Sequence, residues 1–465
     1  MLTSTPFEGS RDVYEWISAF INIERGQSLR SFRLDRMNAL AELSGWPEKC
    51  APAIHVAGTK GKGSVTGMIA AILNAAGREC ACYASPHVSD FRERLMVGNV
   101  FFSEEIYSAA GNELKSLTDS LDKSSKRELF DPKTETGEEP SFFELMTLWF
   151  FLCCRLARCG VMAVETGMGG RLDATNILDP LISVITVIEL EHTEYLGKTI
   201  AAIAAEKAGI IKPGRPLILA EQTDEALNVF IDMAKQKNSP LHYLPDHCDV
   251  QNIKVNREGT FFDLSLKDAS FYELHVPIPG EVQAHNAGLA ALAVKTAFPG
   301  ITEASIREGL AGFSLPARFE RISTNPVVVV DGAHTRRSVD LCLKSFTSLY
   351  GTGGILIFGC VAGKDTQTMA ELCIPFFSCI IITTPGSYKK SNPAEIFDVF
   401  TRLARNSSGT GGGGKNENHS TEPNLLFIPD TARAVETAID LAKTRKLPVL
   451  GTGSFYLAGE IRDKI

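Results

Sequence analysis

The residues best suited to chemistry lie in the stretch 54–64, IHVAGTKGKGS. A short apolar run enters a glycine-rich turn that ends in Lys62, Gly63 and Ser64. A segment follows whose apolar residues, Val65, Met68, Ile69, Ile72 and Leu73, recur at helical spacing. Strand, glycine turn and helix together make a grip for polyphosphate. Gly58, Gly61 and Gly63 allow backbone N–H groups to converge on phosphate oxygens, and the helix N-terminus adds about half a positive charge. Lys62 supplies a mobile cation, and Ser64 a hydroxyl that can reach magnesium or phosphate. The match to G-x-x-x-x-G-K-[ST] is imperfect, because Val56 stands at its first glycine and Gly63 at its hydroxyl position. The plain alternative is a glycine-rich turn of any Rossmann-like sheet, but such turns seldom need both Lys60 and Lys62.

Other polar clusters follow. In ELEHTEYLGKT (189–199), His192 lies among Glu189, Glu191 and Glu194, just past a strand. A lone histidine is more often structural, but one beside acids at a strand's carboxyl end is a metal candidate. The loop TGMGGRLDATN (166–176) holds Gly167, Gly169 and Gly170, then Arg171, Asp173 and Asn176. The loop SPHVSDFRER (85–94) is dense in functional side chains and reads as ligand-side, with a plain surface loop as the alternative. Ser141 and Glu144 fit a capping box, and Glu206 and Lys207 an ordinary solvated pair. Arg25, Arg30, Arg33 and Arg36 mark either a solvated connector or an anion-facing segment.

The chain that must position these groups has 465 residues, 44% hydrophobic and 22% charged, as in an ordinary soluble protein. That length suggests two or three domains. The net charge of −8 argues against non-specific binding to nucleic acid or anionic membrane, though not against an anionic substrate in a basic cleft. The 11 cysteines form no pair of C-x-x-C motifs, which disfavours zinc. Several sit in apolar runs and read as reduced thiols, which fits a reducing, cytoplasmic compartment. The N-terminus lacks a signal pattern, and the apolar region 145–164 is interrupted by Arg155 and Arg158, so it is no membrane span.

Periodicity predicts helices over 12–43, 141–156, 200–208, 224–237 and 287–297, the last capped by Asn286. Strands are expected at 79–84, 161–165, 182–188, 217–220 and 241–244, with a small antiparallel excursion near 248–277. Residues 117–139 read as a polar excursion and 406–424 as a glycine-rich solvent loop. Two prolines and the charged PARFERI make 315–326 the expected linker. Beyond it, VVVVDGAH and four further strand candidates alternate with helices. The fold class is therefore α/β: a phosphate-loop-type, mostly parallel sheet flanked by helices over 1–314, and a smaller Rossmann-like α/β domain over 327–465.

Taken together, HVAGTKGKGS (55–64), SPHVSDFRER (85–94), ETGMGGRLDATN (165–176), EHTEYLG (191–197), EKAGIIKPG (206–214), PARFERI (316–322), DGAH (331–334) and GTGSFYLAGEIR (451–462) resemble one family. It is the folylpolyglutamate synthase/dihydrofolate synthase branch of the Mur-type, ATP-dependent amide ligases, and the similarity spans nearly the whole chain. The first domain then corresponds to a Mur ligase central domain. The resemblance implies that Gly58, Thr59, Lys60, Gly61, Lys62, Gly63 and Ser64 hold the phosphates of ATP. It implies Mg2+ on Ser64, Ser85, Glu144 and His192, in place of the capping role for Glu144. Lys207 matches a lysine that is carbamylated in the family, and Asn286, Arg318 and Asp331 match nucleotide contacts, with His334 in the same motif. Lys62, Lys207, His192 and Glu144 are the residues expected to carry catalysis.

The implied reaction phosphorylates a folate carboxylate and couples it to L-glutamate through an acyl phosphate. Reduced folate is the leading acceptor. Dihydropteroate is the alternative, and a cell-wall ligase or a non-catalytic nucleotide switch lies further off. A monovalent cation is a further cofactor candidate, and the chain is expected to act as a monomer. Departures include Thr335, followed by Arg336 and Arg337, where the family commonly has asparagine after DGAH. Glu281, Val282 and Gln283 stand where a histidine is frequent, and Gly363, Lys364 and Asp365 form the second domain's D-K-D-like motif. Ser31 and Arg33 stand where some dihydropteroate-using members carry Asp and Gly.

Overall fold

The computed structural model describes residues 5–23, 32–121, 127–131, 133, 139–267, 269–386, 389–408 and 423–465. Arg25, Arg30 and Ser31, most of the acidic part of the 117–139 excursion and the glycine-rich 409–422 lie outside the described residues. The chain divides into two units. The first comprises Met1–Lys254, Thr260–Pro277 and Glu281–Ser314, and the second Val255–Gly259, Ile278–Gly280 and Leu315–Ile465.

The first unit is built on eight strands: β1 (Ala53–Ala57), β2 (Cys80–Tyr83), β3 (Leu95–Val97), β4 (Val100–Phe101), β5 (Val161–Glu165), β6 (Ile182–Ile185), β7 (Leu217–Leu219) and β8 (Leu241–Tyr243). Their order is β4-β3-β2-β5-β1-β6-β7-β8. The pairs from β2 to β8 are parallel, and β3 and β4 add an antiparallel edge. β1 and β5 are buried at every position. Unbroken apolar runs such as VMAV belong in a sheet covered on both faces. β1 is central, so the loop that leaves its carboxyl end emerges between the ends of β5 and β6.

Helices Lys62–Ala75, Glu281–Ala297 and Glu303–Ala311 pack together. Their approach is close because glycines stand at the crossings. A Cβ on Gly309 would lie 2.4 Å from Ile72 Cα, and one on Gly67 would lie 2.6 Å from the Phe313 ring. Helix Phe142–Ala157 is apolar nearly all round and buried over its first three turns. Trp149 donates its indole N–H to the Tyr107 carbonyl at 3.0 Å. At 16 residues this helix is about 24 Å long, and no helix of the described residues is long and apolar enough to cross a membrane. β9 (Cys248–Asn256), β10 (Gly259–Leu266) and β11 (Ala269–Val276) form a separate three-stranded sheet.

The second unit holds β12 (Glu320–Thr324), β13 (Val327–Val330), β14 (Gly354–Phe358), β15 (Phe377–Ile382), β16 (Asn424–Phe427) and β17 (Val449–Thr452), ordered β12-β13-β17-β14-β15-β16. All neighbours are parallel except β12 and β13. The expected linker at 315–326 is thus partly an edge strand. β12 pairs antiparallel with β13, and Arg462 Nε donates to Glu320 at 3.0 Å.

Three helix expectations change. The segment 12–43 is two helices, Ser10–Ile17 and Leu34–Leu43, not one. Glu281–Ala297 starts earlier than expected, so Asn286 lies inside it and is no cap. The helix over residues 104–120 takes in the start of the polar excursion, with Ser103 as its cap. All eleven cysteines are free thiols, and most are buried.

Gly309→Ala is expected to lower the unfolding free energy by about 1–3 kcal/mol, because the added methyl meets backbone that cannot step aside. Urea denaturation measures it, and a loss under about 0.5 kcal/mol, the ordinary range of surface substitutions, would contradict the packing described.

Candidate active site

The turn after β1 has the geometry its glycines require. Gly58 has φ +144°, and a Cβ there would sit 1.8 Å from Thr186 Oγ1; Gly61 has φ +88°, with Asn286 Oδ1 2.8 Å from its Cβ position. Gly61 caps the helix that opens at Lys62. The N–H groups of the helix's first turn have no partner within the helix, so Lys62, Gly63 and Ser64, with the capping Gly61, present amides of the kind that suits anionic oxygens. Thr59 and Lys60 behave differently. Both donate their amides to the Val187 carbonyl, at 2.9 and 3.3 Å, and the Thr59 hydroxyl donates to the Glu189 carbonyl at 3.2 Å. They fix the turn to the strand beside it.

Lys62 Nζ lies 3.9 Å from Glu165 Oε1, and the Ser85 amide donates to Glu165 Oε2 at 3.2 Å. Glu165 ends β5 in register with Val56 of β1 and is 3% exposed. It therefore joins the phosphate loop to Ser85, and the sequence reading assigned it no role. An acid at the carboxyl end of the strand beside the loop-bearing strand was the available signal.

Glu144 does not take that place. It accepts from the Ser141 amide at 2.8 Å and hydroxyl at 2.7 Å, and Arg36 Nε lies 2.9 and 3.0 Å from its two oxygens. This buried cap and ion pair commits the carboxylate, so the structural alternative set aside on resemblance is the one the geometry carries.

Lys207 is the largest departure from the residue-by-residue reading. It is 4% exposed, not solvated, and Glu206 pairs with Arg171 at 2.9 Å instead. Burial, then Lys62, pushes the Lys207 ammonium down to about 7, with Lys60 adding to the effect and Glu191 and Asp173 opposing it. A Cβ on Gly170 would meet the Lys207 backbone at 3.0 Å, so the TGMGGRLDATN loop lies directly on this helix. Asp173 in that loop is itself pushed up by burial, although the Met168 and Thr175 amides donate to it.

Lys60 Nζ meets Glu191 Oε1 at 2.9 Å, and the next residue, His192, has φ +53° and opens the short helix Thr193–Leu196. Among the described residues, no three or more His, Cys, Asp or Glu are gathered so as to hold a metal by themselves. His192 and its neighbouring acids are therefore no such group by themselves. It is compatible with magnesium, which keeps several waters and uses one or two carboxylates together with substrate phosphates. The oxygen donors here, Ser64, Ser85 and Glu165, are of the hard type that magnesium takes.

In SPHVSDFRER the arginines turn out to be structural. Arg92 pairs with Asp90 at 2.6 Å and Glu104 at 3.0 Å, and buried Arg94 donates to His87 Nδ1 at 2.8 Å.

The second unit gathers its own expected residues. Asp331 accepts from the Phe319 amide at 2.7 Å and the Ala333 amide at 2.8 Å; burial pushes its carboxyl up, and Arg318 opposes that shift. The Arg318 guanidinium lies 4.2 Å from the Phe455 ring centroid, and His334 meets the same ring at 5.5 Å. Ala317 and Phe319, either side of Arg318, hold φ of +51° and +45°, a conformation unfavourable for side-chain-bearing residues. His334 Nδ1 lies 2.8 Å from the Gly332 carbonyl oxygen. Phe455, against which Gly332 packs with a Cβ position 2.1 Å away, is a further residue missed from sequence.

Comparison with known proteins agrees with this architecture. Residues 141–294 match the Mur ligase middle domain, and 317–455 match the Mur ligase, glutamate ligase domain. The chain is 31% identical over 438 residues to the dihydrofolate synthase/folylpolyglutamate synthase of Bacillus subtilis, covering 93% of this chain and 94% of that one. It is 32% identical over 437 residues to the folylpolyglutamate synthase of Lacticaseibacillus casei, covering 92% and 94%. Among solved structures, the Mycobacterium tuberculosis folylpolyglutamate synthase complexed with ADP and AMPPCP superposes with TM-score 0.84 at 25% identity, covering 97% of each chain.

Glu144→Ala is expected to cost about 3–5 kcal/mol of stability, because Arg36 is left buried without its counter-charge. The double variant Arg36→Met, Glu144→Leu is expected to regain most of it. Urea unfolding of both variants checks the pair, and a Glu144→Ala protein as stable as wild type would refute it.

Proposed function

The chain belongs to the dihydrofolate synthase/folylpolyglutamate synthase family of ATP-dependent ligases, and on that premise we propose that it adds L-glutamate in amide linkage to the glutamyl tail of a reduced folate. The observation that carries the proposal is the gathering of Lys60, Lys62 and Lys207 with Glu165, Glu191 and Asp173 around a glycine turn with first-turn amides free of helix bonds.

A carboxylate is a poor electrophile, and ATP supplies the remedy. The γ-phosphoryl group passes to the acceptor's carboxylate oxygen with loss of ADP. The amine of L-glutamate then attacks the acyl carbon, loses a proton, and expels phosphate as the amide forms. Before transfer, two anions must be brought together. The amides of Gly61, Lys62, Gly63 and Ser64 and the Lys62 ammonium offset that repulsion from fixed positions. Glu165 holds Lys62 and the Ser85 amide at the edge of this cradle. No side-chain nucleophile is required.

Mg2+, when bound, supplies positive charge on the phosphate oxygens. Of the ligands expected, Ser64, Ser85 and His192 stay in the proposal, and Glu165 replaces Glu144. Asn286 beside Gly61, and Arg318, Asp331 and His334 in the second unit, are kept as nucleotide or substrate contacts. A monovalent cation is a further cofactor in this reading. A monomer in a cytoplasmic setting completes the reading, and eleven free thiols support the reducing compartment.

Dihydropteroate as acceptor is the second reading. It is favoured by one fact: relatives of nearly equal identity carry the double name and the single name. Purified protein given ATP, L-glutamate and either monoglutamyl tetrahydrofolate or dihydropteroate separates the two. ADP release that depends on both glutamate and the reduced folate is expected. Lys62→Ala is expected to lower it by at least about 10²–10³-fold with an unchanged circular-dichroism melt. ADP release indifferent to acceptor and glutamate would overturn the reading.

We also propose that Lys207 is carbamylated. Its neutral nitrogen attacks CO2, one C=O electron pair moves to oxygen, and the nitrogen's proton goes to solvent. With the ammonium held at about 7, roughly half of the amine is neutral at pH 7, against about one in 10³ for an ordinary lysine. As pH falls below 7 the protonated form takes over and carbamate is lost. Activity in CO2-depleted buffer is therefore expected to fall as pH drops from 8 to 6 (assay values, about one unit each side of the shifted value) and to return with bicarbonate. Lys207→Ala is expected to be inactive and partly rescued by short carboxylates. A fully active protein whose intact mass and maps show bare Lys207 would exclude the carbamate.

A further inference from the structure

His55, the middle residue of β1, has no part in the chemistry proposed above. It is fully buried in an otherwise apolar strand, level with Val164 of β5 and Ser183 of β6. Its Nδ1 has no hydrogen-bond partner among the described residues. An imidazole nitrogen buried unpaired works against folding, so packing alone gives no reason for a histidine here. Burial, then Lys212, pushes its pKa down to about 3, which keeps the ring neutral.

The other ring nitrogen is engaged. Nε2 lies 2.8 Å from Thr175 Oγ1, and the Thr175 hydroxyl donates to Asp173 Oδ1 at 2.5 Å. Asp173 also accepts from the Thr175 amide at 3.0 Å and the Met168 amide at 2.9 Å, and from the Gly167 amide. Donors on both oxygens suit a carboxylate acceptor. The one hydroxyl proton of Thr175 goes to Asp173, so Oγ1 accepts from His55. That fixes the imidazole as its Nε2–H tautomer. The donors therefore run one way, from β1 through Thr175 to Asp173.

Asp173 in turn shapes the loop that lies on Lys207. The amides it accepts, Gly167 and Met168, open a run whose glycines offer little side-chain packing of their own. Further along, the Arg171 amide donates to the Glu206 carbonyl at 2.8 Å, and Asn176 Nδ2 donates to the Gly209 carbonyl at 3.1 Å. Between them, a Cβ on Gly170 would lie 3.0 Å from Lys207 Cα. The loop thus grips the chain on both sides of Lys207. Because β1 also leads into the phosphate turn, one strand locates both Lys62 and the support of Lys207.

We propose that His55 is a positioning residue for Lys207, acting through Thr175 and Asp173. This rests on the ligase reading above, in which Lys207 serves the reaction. With no exposed surface, His55 itself meets no substrate.

The test uses the full-length protein. Nitrogen NMR of histidine-labelled protein, with the His55 signals identified by their loss in His55→Gln, is expected to show a neutral ring protonated at Nε2 across about pH 5–8. A proton on Nδ1, or a ring that titrates in that range, would overturn the proposal. His55→Leu and Thr175→Val remove the relay with little change of volume. Each is expected to lower kcat about tenfold, to leave the KM for ATP within about twofold, and to speed amide exchange at Met168 but not at Thr59. The double variant is expected to lose no more than either single one, because both interrupt the same chain of bonds. His55→Gln, which can return an N–H to Thr175, and Thr175→Ser are expected to keep most of the wild-type kcat. A wild-type kcat in Thr175→Val, a double variant that loses the product of the single losses, or a His55→Gln as slow as His55→Leu overturns the proposal. Should His55→Leu fail to fold, Thr175→Val against Thr175→Ser makes the same comparison. Wild-type turnover tests the ligase reading separately. Were it absent, the tautomer and the Met168 exchange would still decide: unchanged exchange in Thr175→Val overturns the relay, and faster exchange supports it.

Discussion

The first unit depends on holding several lysines close together without letting their repulsion open the fold. Lys60, Lys62 and Lys207 act on one another near the end of β1, and burial adds to the strain. Two of them are balanced: Lys60 by Glu191 at 2.9 Å, and Lys62 by Glu165 at 3.9 Å. Lys207 has no such partner among the described residues and gives up part of its charge instead. On the proposed function, the same imbalance receives a polyphosphate at the cradle and leaves the Lys207 amine nucleophilic near neutral pH. Binding and reactivity are then two consequences of one electrostatic arrangement.

Backbone shape sets where those charges sit. Gly58 and Gly61 adopt positive φ, and each faces a polar side chain, Thr186 or Asn286, with no room for a methyl. The amides of Thr59 and Lys60 bond to Val187 on the segment after β6, so the turn is anchored on one side and open on the other. The open side is the start of the helix Lys62–Ala75, whose buried face, Val65, Met68, Ile69, Ile72 and Leu73, fixes it to the sheet. Hydrophobic packing of that helix thus determines the direction in which its first-turn amides point.

Much of this was legible in the sequence, and the exceptions share a cause. The parallel strands, the glycine turn and the antiparallel excursion follow from local patterns in IHVA, VMAVE, FFDLSL and VVVV, whereas the short edge strands β3 and β4 carry no such pattern. Features set by tertiary neighbours did not. Lys207 looked solvated because helical spacing says nothing about the Gly170 loop lying against it. Asn286 looked like a cap because the polar start of its helix, EVQAH, hides the true beginning. β12 looked like a linker because its proline-flanked edge strand is ordered only by pairing with β13. Arg92 and Arg94 looked available for ligand until Asp90, Glu104 and His87 took them.

Glu144 and Glu165 show how the same side chain acquires different work from its neighbours. Both are nearly buried, at 5% and 3% exposure, and either fits a generic demand for a carboxylate near magnesium. Glu144 begins a helix and meets Arg36, so its charge is spent on a cap and an ion pair. Its neighbour Phe143 then abuts Gly167, where a Cβ would fall 2.3 Å from the ring, and so sets the path of the loop that carries Asp173 to Lys207. Glu165 ends a strand, has a lysine and an amide as its polar neighbours, and keeps its carboxylate at the phosphate loop. One acid shapes the wall, and the other lies between Lys62 and the Ser85 amide. The difference comes from the element each terminates: a helix start consumes an acceptor, whereas a strand's carboxyl end presents one.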